Sequence, residues 1–274
     1  MTSLSTGYER SFFIEELCHS INISTVSKKK EIRINIFLRR RECSVEKFLI
    51  GYNHQGMQNL SPGFYFSLDG FEHKELFDQT VYVWEALHHI HEYLSEKKLG
   101  HIATSIPNGA HLINPELIAI GEGTIVEPGA YIQGPCIIGK NCQIRHGAYI
   151  RGGVITGDRC VIGHATEVKH SILLNDAHAA HFNYVGDSIL GAGVNLGAGS
   201  MLANLRLDRK TVLISQGGRK IDTQLKKFGA VLGDGVQIGC NAVINPGTLL
   251  GPRAICYPCL NIAGVIAPNA TIKE

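Results

Sequence analysis

From Ile120 to Ile155 the chain reads IGEGTI-VEPGAY-IQGPCI-IGKNCQ-IRHGAY-IRGGVI. These are six hexads, each opening on Ile or Val, with Thr, Ala, Cys or Val in the fifth position. The period continues through residues 162–173, resumes over 190–201, and returns in hexads that begin at Leu232, Ile238, Ile244 and Leu250. A period of six is neither the 3.6 of a helix nor the 2 of an alternating strand. Its physical solution is a three-sided coil of about 18 residues, with a short strand on each side and a tight turn at each corner, the aliphatic pointing inward. Coils stack through parallel ladder bonds about 4.8 Å apart. No coil buries its inward face alone, so the stack itself supplies the core. The reading is a mainly β fold, a parallel β-helix.

Outside the repeat the composition changes. Of 31 Gly only five precede residue 100, whereas eight of the ten Phe and the one Trp do. The seam divides a small α+β N-terminal domain (1–99) from the β-helix (100–274). Residues 31–40 alternate like a strand, 63–68 suit another, and 81–98 hold Trp84, Leu87, His91 and Leu94 at helical spacing. This last segment is expected to be a helix packed on the first coil, its three His solvated or interfacial. The repeat breaks twice. Residues 172–189 lose the hexad phase, and 203–230 form a polar excursion that carries +5 of a net charge of only +2. Such a short basic segment suits a phosphate-bearing small ligand or a solvated loop better than nucleic acid.

Eight Cys in a chain of 274 residues with no secretory leader pattern do not describe a disulfide framework. Cys136, Cys142 and Cys160 fall on small buried positions of the repeat, and Cys256-Tyr-Pro-Cys259 is a lone C-x-x-C. No apolar run is long enough to span a membrane, so the expected location is cytoplasmic. There is no G-x-x-x-x-G-K-[ST] loop and no G-x-S-x-G elbow.

Separation by one coil turns sequence distance into neighbourhood. Arg151 and Lys169 should point outward one above the other, about 5 Å apart. Two stacked cations repel, which makes sense if an anion lies between them; the bland alternative is two surface charges, one neutralised by Glu167. His146 and His164 are also one coil apart, as a structural corner pair or, alternatively, the start of a zinc site. The segment with His178, His181 and Tyr184 offers a His as general base, since imidazole titrates near neutrality.

Arg151, Glu167-Val-Lys169, His181-x-x-Tyr184-x-Gly-Asp187, Val194-Asn-Leu-Gly-Ala-Gly199 and Ala203-Asn204 occur in that order. Together they resemble the acetyltransferase domain of the bifunctional glucosamine-1-phosphate N-acetyltransferase/UDP-N-acetylglucosamine pyrophosphorylase family. The continuation through Lys210, Gly218-Arg-Lys-Ile-Asp222 and Lys226-Lys-Phe-Gly-Ala-Val is closer to the archaeal-type sugar-1-phosphate nucleotidylyltransferase/acetyltransferases. The resemblance spans residues 82–266; residues 1–80 do not resemble the pyrophosphorylase domain.

That resemblance implies a left-handed β-helix, a homotrimer, and acetyl transfer from acetyl-CoA to an amino-sugar phosphate without a metal. It implies His181 as general base and Asn204 orienting the acetyl group or the amine. Arg151 and Lys169 would hold the sugar phosphate, Tyr184 and Asn195 would contact the sugar, and Lys210 would lie near substrate or coenzyme. Cys240, Tyr257 and Pro258 would line the coenzyme, with Cys240 and Cys259 where the family has small residues. The alternative is a non-catalytic module binding a sugar phosphate or nucleotide sugar on the same scaffold.

Overall fold

The computed structural model describes residues 59–273; the strand expected over 31–40 lies outside them. Three parallel sheets of eight strands each form the sides of a prism. The first runs from His111–Ile113 through Tyr149–Ile150, Glu167–Lys169 and Tyr184–Gly186 to Asn261–Ile262. The second includes Val154–Thr156, Ser171–Leu173, Ile189–Leu190 and Ala230–Leu232, and the third Val161–His164, His178–His181 and Asn195–Leu196. Ile120, Ile132, Ile138, Ile144, Ile150 and Ile162 fill the interior, as the hexads require. Cys136, Cys142 and Cys160 are buried with them.

Residues 172–189 do not leave the prism. They form strands in register with the coils on either side, Ile172 opposite Ile155 and Ile189 opposite Ile172. The hexad phase is lost because two sides are one residue short: the buried Val168 and Leu173 are five residues apart, as are Val185 and Leu190. Where the coil below turns on Gly152-Gly153, these turn on His170 and then Asp187, both in the left-handed region (φ 44° and 48°).

The first and third sheets show the alternation of a half-solvated strand, but the second is buried on both faces. Its outward Ile155, Ile172, Ile189, Val231 and Leu249 pack into one apolar cluster with Tyr65, Trp84, Leu87, Ile90 and Leu94. Residues 59–98 therefore lie along the flank of this sheet and not on the first coil alone. Over 63–68 the expected strand is instead a helical turn, α1 (Pro62–Tyr65), because Pro62 at its start pre-sets φ and has no N–H to leave unpaired. The segment over 81–98 is helical, a 3₁₀ turn Val83–Glu85 leading into α2 (Ala86–Glu96). Glu85 accepts hydrogen bonds from the N–H groups of Val81 (2.7 Å) and Tyr82 (2.9 Å). His91 is not on the buried stripe; it sits at its exposed margin.

The excursion over 203–230 contains an antiparallel hairpin, Leu213–Gln216 with Arg219–Asp222. Gly217-Gly218, both at positive φ, make the two-residue turn. Val212, Ile214 and Phe228 are buried, and Phe228 lies 6.2 Å from the Trp84 ring. No helix among the described residues is long and apolar enough to cross a membrane.

Candidate functional site

The outer face of the first sheet carries Tyr149, Glu167 and Tyr184 opposite one another in successive coils. Two residues further along the same strands stand Arg151, Lys169 and Gly186; the Arg151 N–H donates to Val168 O (2.9 Å), and Lys169 is opposite Gly186. Arg151 and Lys169 are thus stacked as the spacing predicts. The repulsion between them is relieved by the chain's own carboxylates. Arg151 Nη1 donates to Glu167 Oε1 (2.6 Å) and Lys169 Nζ to Asp187 Oδ2 (2.9 Å). The stacked cations therefore do not by themselves call for a bound anion, and the Glu167 alternative describes the arrangement better.

Asp187 is the centre of this network. Its Oδ2 accepts from Lys169 and from the Asn204 amide, and its Oδ1 lies 3.2 Å from His170 Nδ1. That last contact is electrostatic and not a well-directed hydrogen bond, since Nδ1 is buried with no aligned partner. Burial alone would push the Asp187 carboxyl up, but His170, Lys169 and Asn204 outweigh it and hold it below the usual carboxylate range. Burial, then the charges of Glu167 and Asp187, push the Tyr184 hydroxyl up. Gly186 makes room for this convergence: a Cβ there would stand 2.7 Å from both Tyr184 Oη and Asn204 Nδ2.

A cleft of about 390 Å³ opens beside the network, lined by Arg151, Lys169, His170, Asp187, the Gly152-Gly153 backbone and His91 of α2. The His91 and His170 rings are 5.3 Å apart. Both ends of the hairpin excursion are tied here: the Phe228 N–H donates to Asn204 O and the Gly229 N–H to Asp187 O, each at 2.8 Å.

His181 is exposed, at the edge where the third sheet turns into the first. The same edge continues upward. The Gly199 N–H donates to His181 O (3.0 Å), the Asn241 N–H to Ala198 O (2.8 Å) and the Cys259 N–H to Cys240 O (2.8 Å). Cys240, Tyr257, Pro258 and Cys259 are all exposed along it, whereas Cys256 is buried, so the C-x-x-C thiols face different environments. Below His181 the edge carries His164 and His146, with rings stacked 5.7 Å apart. Their Nδ1 atoms lie 3.1 Å from His146 O and 2.7 Å from Pro128 O. Among the described residues no three ligating side chains gather into a metal site.

The structure thus brings Arg151, Lys169, Tyr184 and Asn204 together and aligns His181 with Cys240 and Pro258 along one edge. It does not bring Asn195 to the cleft: Asn195 is exposed on the third sheet, opposite His178. Lys210 stands exposed in the approach to the hairpin, its N–H donating to Asp208 (3.2 Å). Asp187, Gly186, His91 and His170 join the site without having been among the residues expected in it. The five-residue spacings around His170 and Asp187 were the available signal.

Residues 132–261 match the family model described as the GMPPB C-terminal domain. A bifunctional sugar-1-phosphate nucleotidylyltransferase/acetyltransferase of Sulfurisphaera tokodaii is 40% identical over 88 residues, which are 32% of this chain and 22% of that protein. The bifunctional protein GlmU of Methanococcus maripaludis is 30% identical over 188 residues, 69% of this chain and 45% of that protein. Among solved structures, the UDP-N-acetylglucosamine acyltransferase of Francisella novicida aligns with a TM-score of 0.44 at 16% identity, over 62% of this chain and 68% of that one. The chain spans less than half the length of these curated relatives. Its coils are thus similar to the GMPPB C-terminal domain and to the C-terminal part of GlmU-like bifunctional nucleotidylyltransferase/acetyltransferases.

Proposed function

We propose that this chain is an acetyl-CoA-dependent N-acetyltransferase of the hexapeptide class, acting on an amino-sugar phosphate such as glucosamine-1-phosphate and assembling as a homotrimer. The observation that carries the reading is the alignment of the exposed His181 with Ala198, Cys240 and Pro258 on a single prism edge, beside a face that bears Tyr184, Asn204, Lys169 and Arg151. An extended thioester arm laid along that edge passes one coil every 4.8 Å or so and reaches His181 from Pro258 over three coils.

In this reading Arg151 and Lys169 exchange part of their contact with Glu167 and Asp187 for the sugar phosphate. The sugar amine attacks the acetyl carbonyl carbon while His181 takes one N–H proton. The C–N bond forms as the carbonyl becomes an oxyanion, which then collapses with cleavage of the C–S bond. Coenzyme A leaves as thiolate and gains a proton from the imidazolium, so His181 ends neutral. Orienting the two reactants supplies much of the rate, and proton removal a further factor of about 10² to 10⁴.

One observation favours the second reading, a non-catalytic sugar-phosphate module: both cleft cations already have carboxylate partners. Calorimetry with acetyl-CoA, with and without glucosamine-1-phosphate, separates the two. Heat of turnover and an acetylated product support the transferase. Sugar-phosphate binding without acetyl-CoA binding supports the module and overturns the transferase.

A further inference from the structure

Resting on the transferase reading, the geometry points to Asp187 as a positioning residue that determines which reactant Asn204 can touch. An ionised carboxylate only accepts hydrogen bonds. Against its burial, Asp187 is held in its ionised form by the donors around it, with Lys169 Nζ at 2.9 Å. Asn204 therefore meets it through its NH₂ group and not through its carbonyl oxygen. That fixes the amide, whose two ends are otherwise interchangeable. The same nitrogen lies beside Tyr184 Oη over the bare Cα of Gly186, which occupies the donor end of Asn204 further.

What Asn204 has left for a ligand is Oδ1, an acceptor. An acetyl carbonyl cannot bond to it; an amine can. Asn204 thus contacts the amine of the sugar, and the site disfavours a ligand carrying only an acceptor at that carbon, because a desolvated acceptor is then left unpaired. Asp187 does this without touching either reactant. It is locked in turn by its own backbone, with its N–H on Lys169 O (3.0 Å) and its carbonyl accepting from Gly229 (2.8 Å).

The test compares glucosamine-1-phosphate with 2-deoxy-2-fluoro-glucose-1-phosphate, which has no donor at the second carbon, by calorimetry on the full chain and on Asp187→Asn. Asn tolerates the left-handed φ of 48° at this position as well as Asp does. Its amide also offers a donor to Asn204 Oδ1, so Asn204 can turn over. The parent is expected to favour the amino sugar by about tenfold or more, and Asp187→Asn to narrow that to within about threefold. An unchanged preference in the variant overturns the inference.

A second readout depends neither on binding nor on the folding of Asp187→Asn. The Asn204 side-chain amide protons, assigned in the parent by their loss in Asn204→Ala, should exchange slowly with solvent. Exchange as fast as that of an exposed Asn overturns the inference. If the parent binds neither sugar phosphate, the transferase reading falls, and the exchange measurement still decides whether Asp187 holds the amide.

Discussion

Gly186→Ala isolates the site from the fold. Gly186 is an extended strand residue outside the left-handed region, so the backbone itself accepts a side chain there. The obstacle is what the new methyl would meet: Asn204 Nδ2 and Tyr184 Oη at 2.7 Å and Tyr184 Cε1 at 2.9 Å. Ordinary contact for a Cβ begins at 3.4 Å, so both polar groups must retreat by about 0.7 Å. They are the ends of side chains and can move, so the strain is relieved by displacing the groups proposed to hold the sugar and its amine. Misplacement on the order of 1 Å costs up to about 10²-fold in rate. A fall of about 10- to 100-fold in kcat/KM is expected, with a stability change within about 1 kcal/mol, since Gly→Ala at a compatible site loses unfolded-state entropy. The assay is mass-spectrometric detection of acetylated glucosamine-1-phosphate, run beside thermal unfolding. Activity within threefold of an active parent would refute the placing of Tyr184 and Asn204 at the reacting groups. A collapse of the melting temperature would refute the claim that the strain is confined to the site.

His181→Ala should lower turnover by about 10² to 10⁴ and leave the melting temperature unchanged, because the imidazole is exposed; near-parental activity removes the general base from the mechanism. Maleimide labelling of the native chain should modify Cys240 and Cys259, which are exposed, and spare Cys136 and Cys256, whose thiols burial pushes up to about 12; native labelling at Cys136 contradicts the closed prism. The Asp187 carboxyl is held below its unfolded value of 3.8, so its stabilisation is complete above that value and is lost as pH falls through the folded value. Urea unfolding of Asp187→Asn should therefore show lower stability at neutral pH and a shallower loss below about pH 4; an acid limb as steep as the parent's removes this residue from it. Trp84→Ala should cost about 3 to 5 kcal/mol, since the indole is 1% exposed between α2 and the second sheet; a loss under 1 kcal/mol would mean the flanking segment is not part of the core.

The period of six was sufficient for the coil because its inward aliphatics and small fifth residues have no other way to be buried together. It predicted the Arg151–Lys169 stack for the same reason. It was silent on where the leading helix packs, although Ile155, Ile172, Ile189, Val231 and Leu249 point outward from the hexads and needed a cover. The hairpin turn was likewise visible in Gly217-Gly218, hidden inside a stretch whose charge drew attention first. Of the two carboxylate partners, Glu167 was legible and Asp187 was harder to find. Glu167 stands beside the column by register alone, but Asp187 reaches Lys169 only because its corner has lost a residue.

From Ile120 to Ile272 every departure from the six-residue side falls at one corner of the prism, between the first sheet and the second. The corner is Gly152-Gly153 in one coil, His170 in the next and Asp187 in the next. At Asn204 the corner opens into the hairpin and closes again at Phe228. Above that, Ile262 and Ile266 are only four residues apart. Shortening a side removes the slack that lets a polar corner residue face solvent. The Asp187 carboxylate is drawn to 7% exposure, where a charge persists only if donors surround it. Lys169 from the coil below and Asn204 from the coil above donate to it, with His170 beside Lys169, and each is thereby fixed with respect to the others. A regular hexad repeat makes three equivalent corners and no site. The missing residues make one corner different from the other two, and the cleft lies against that corner.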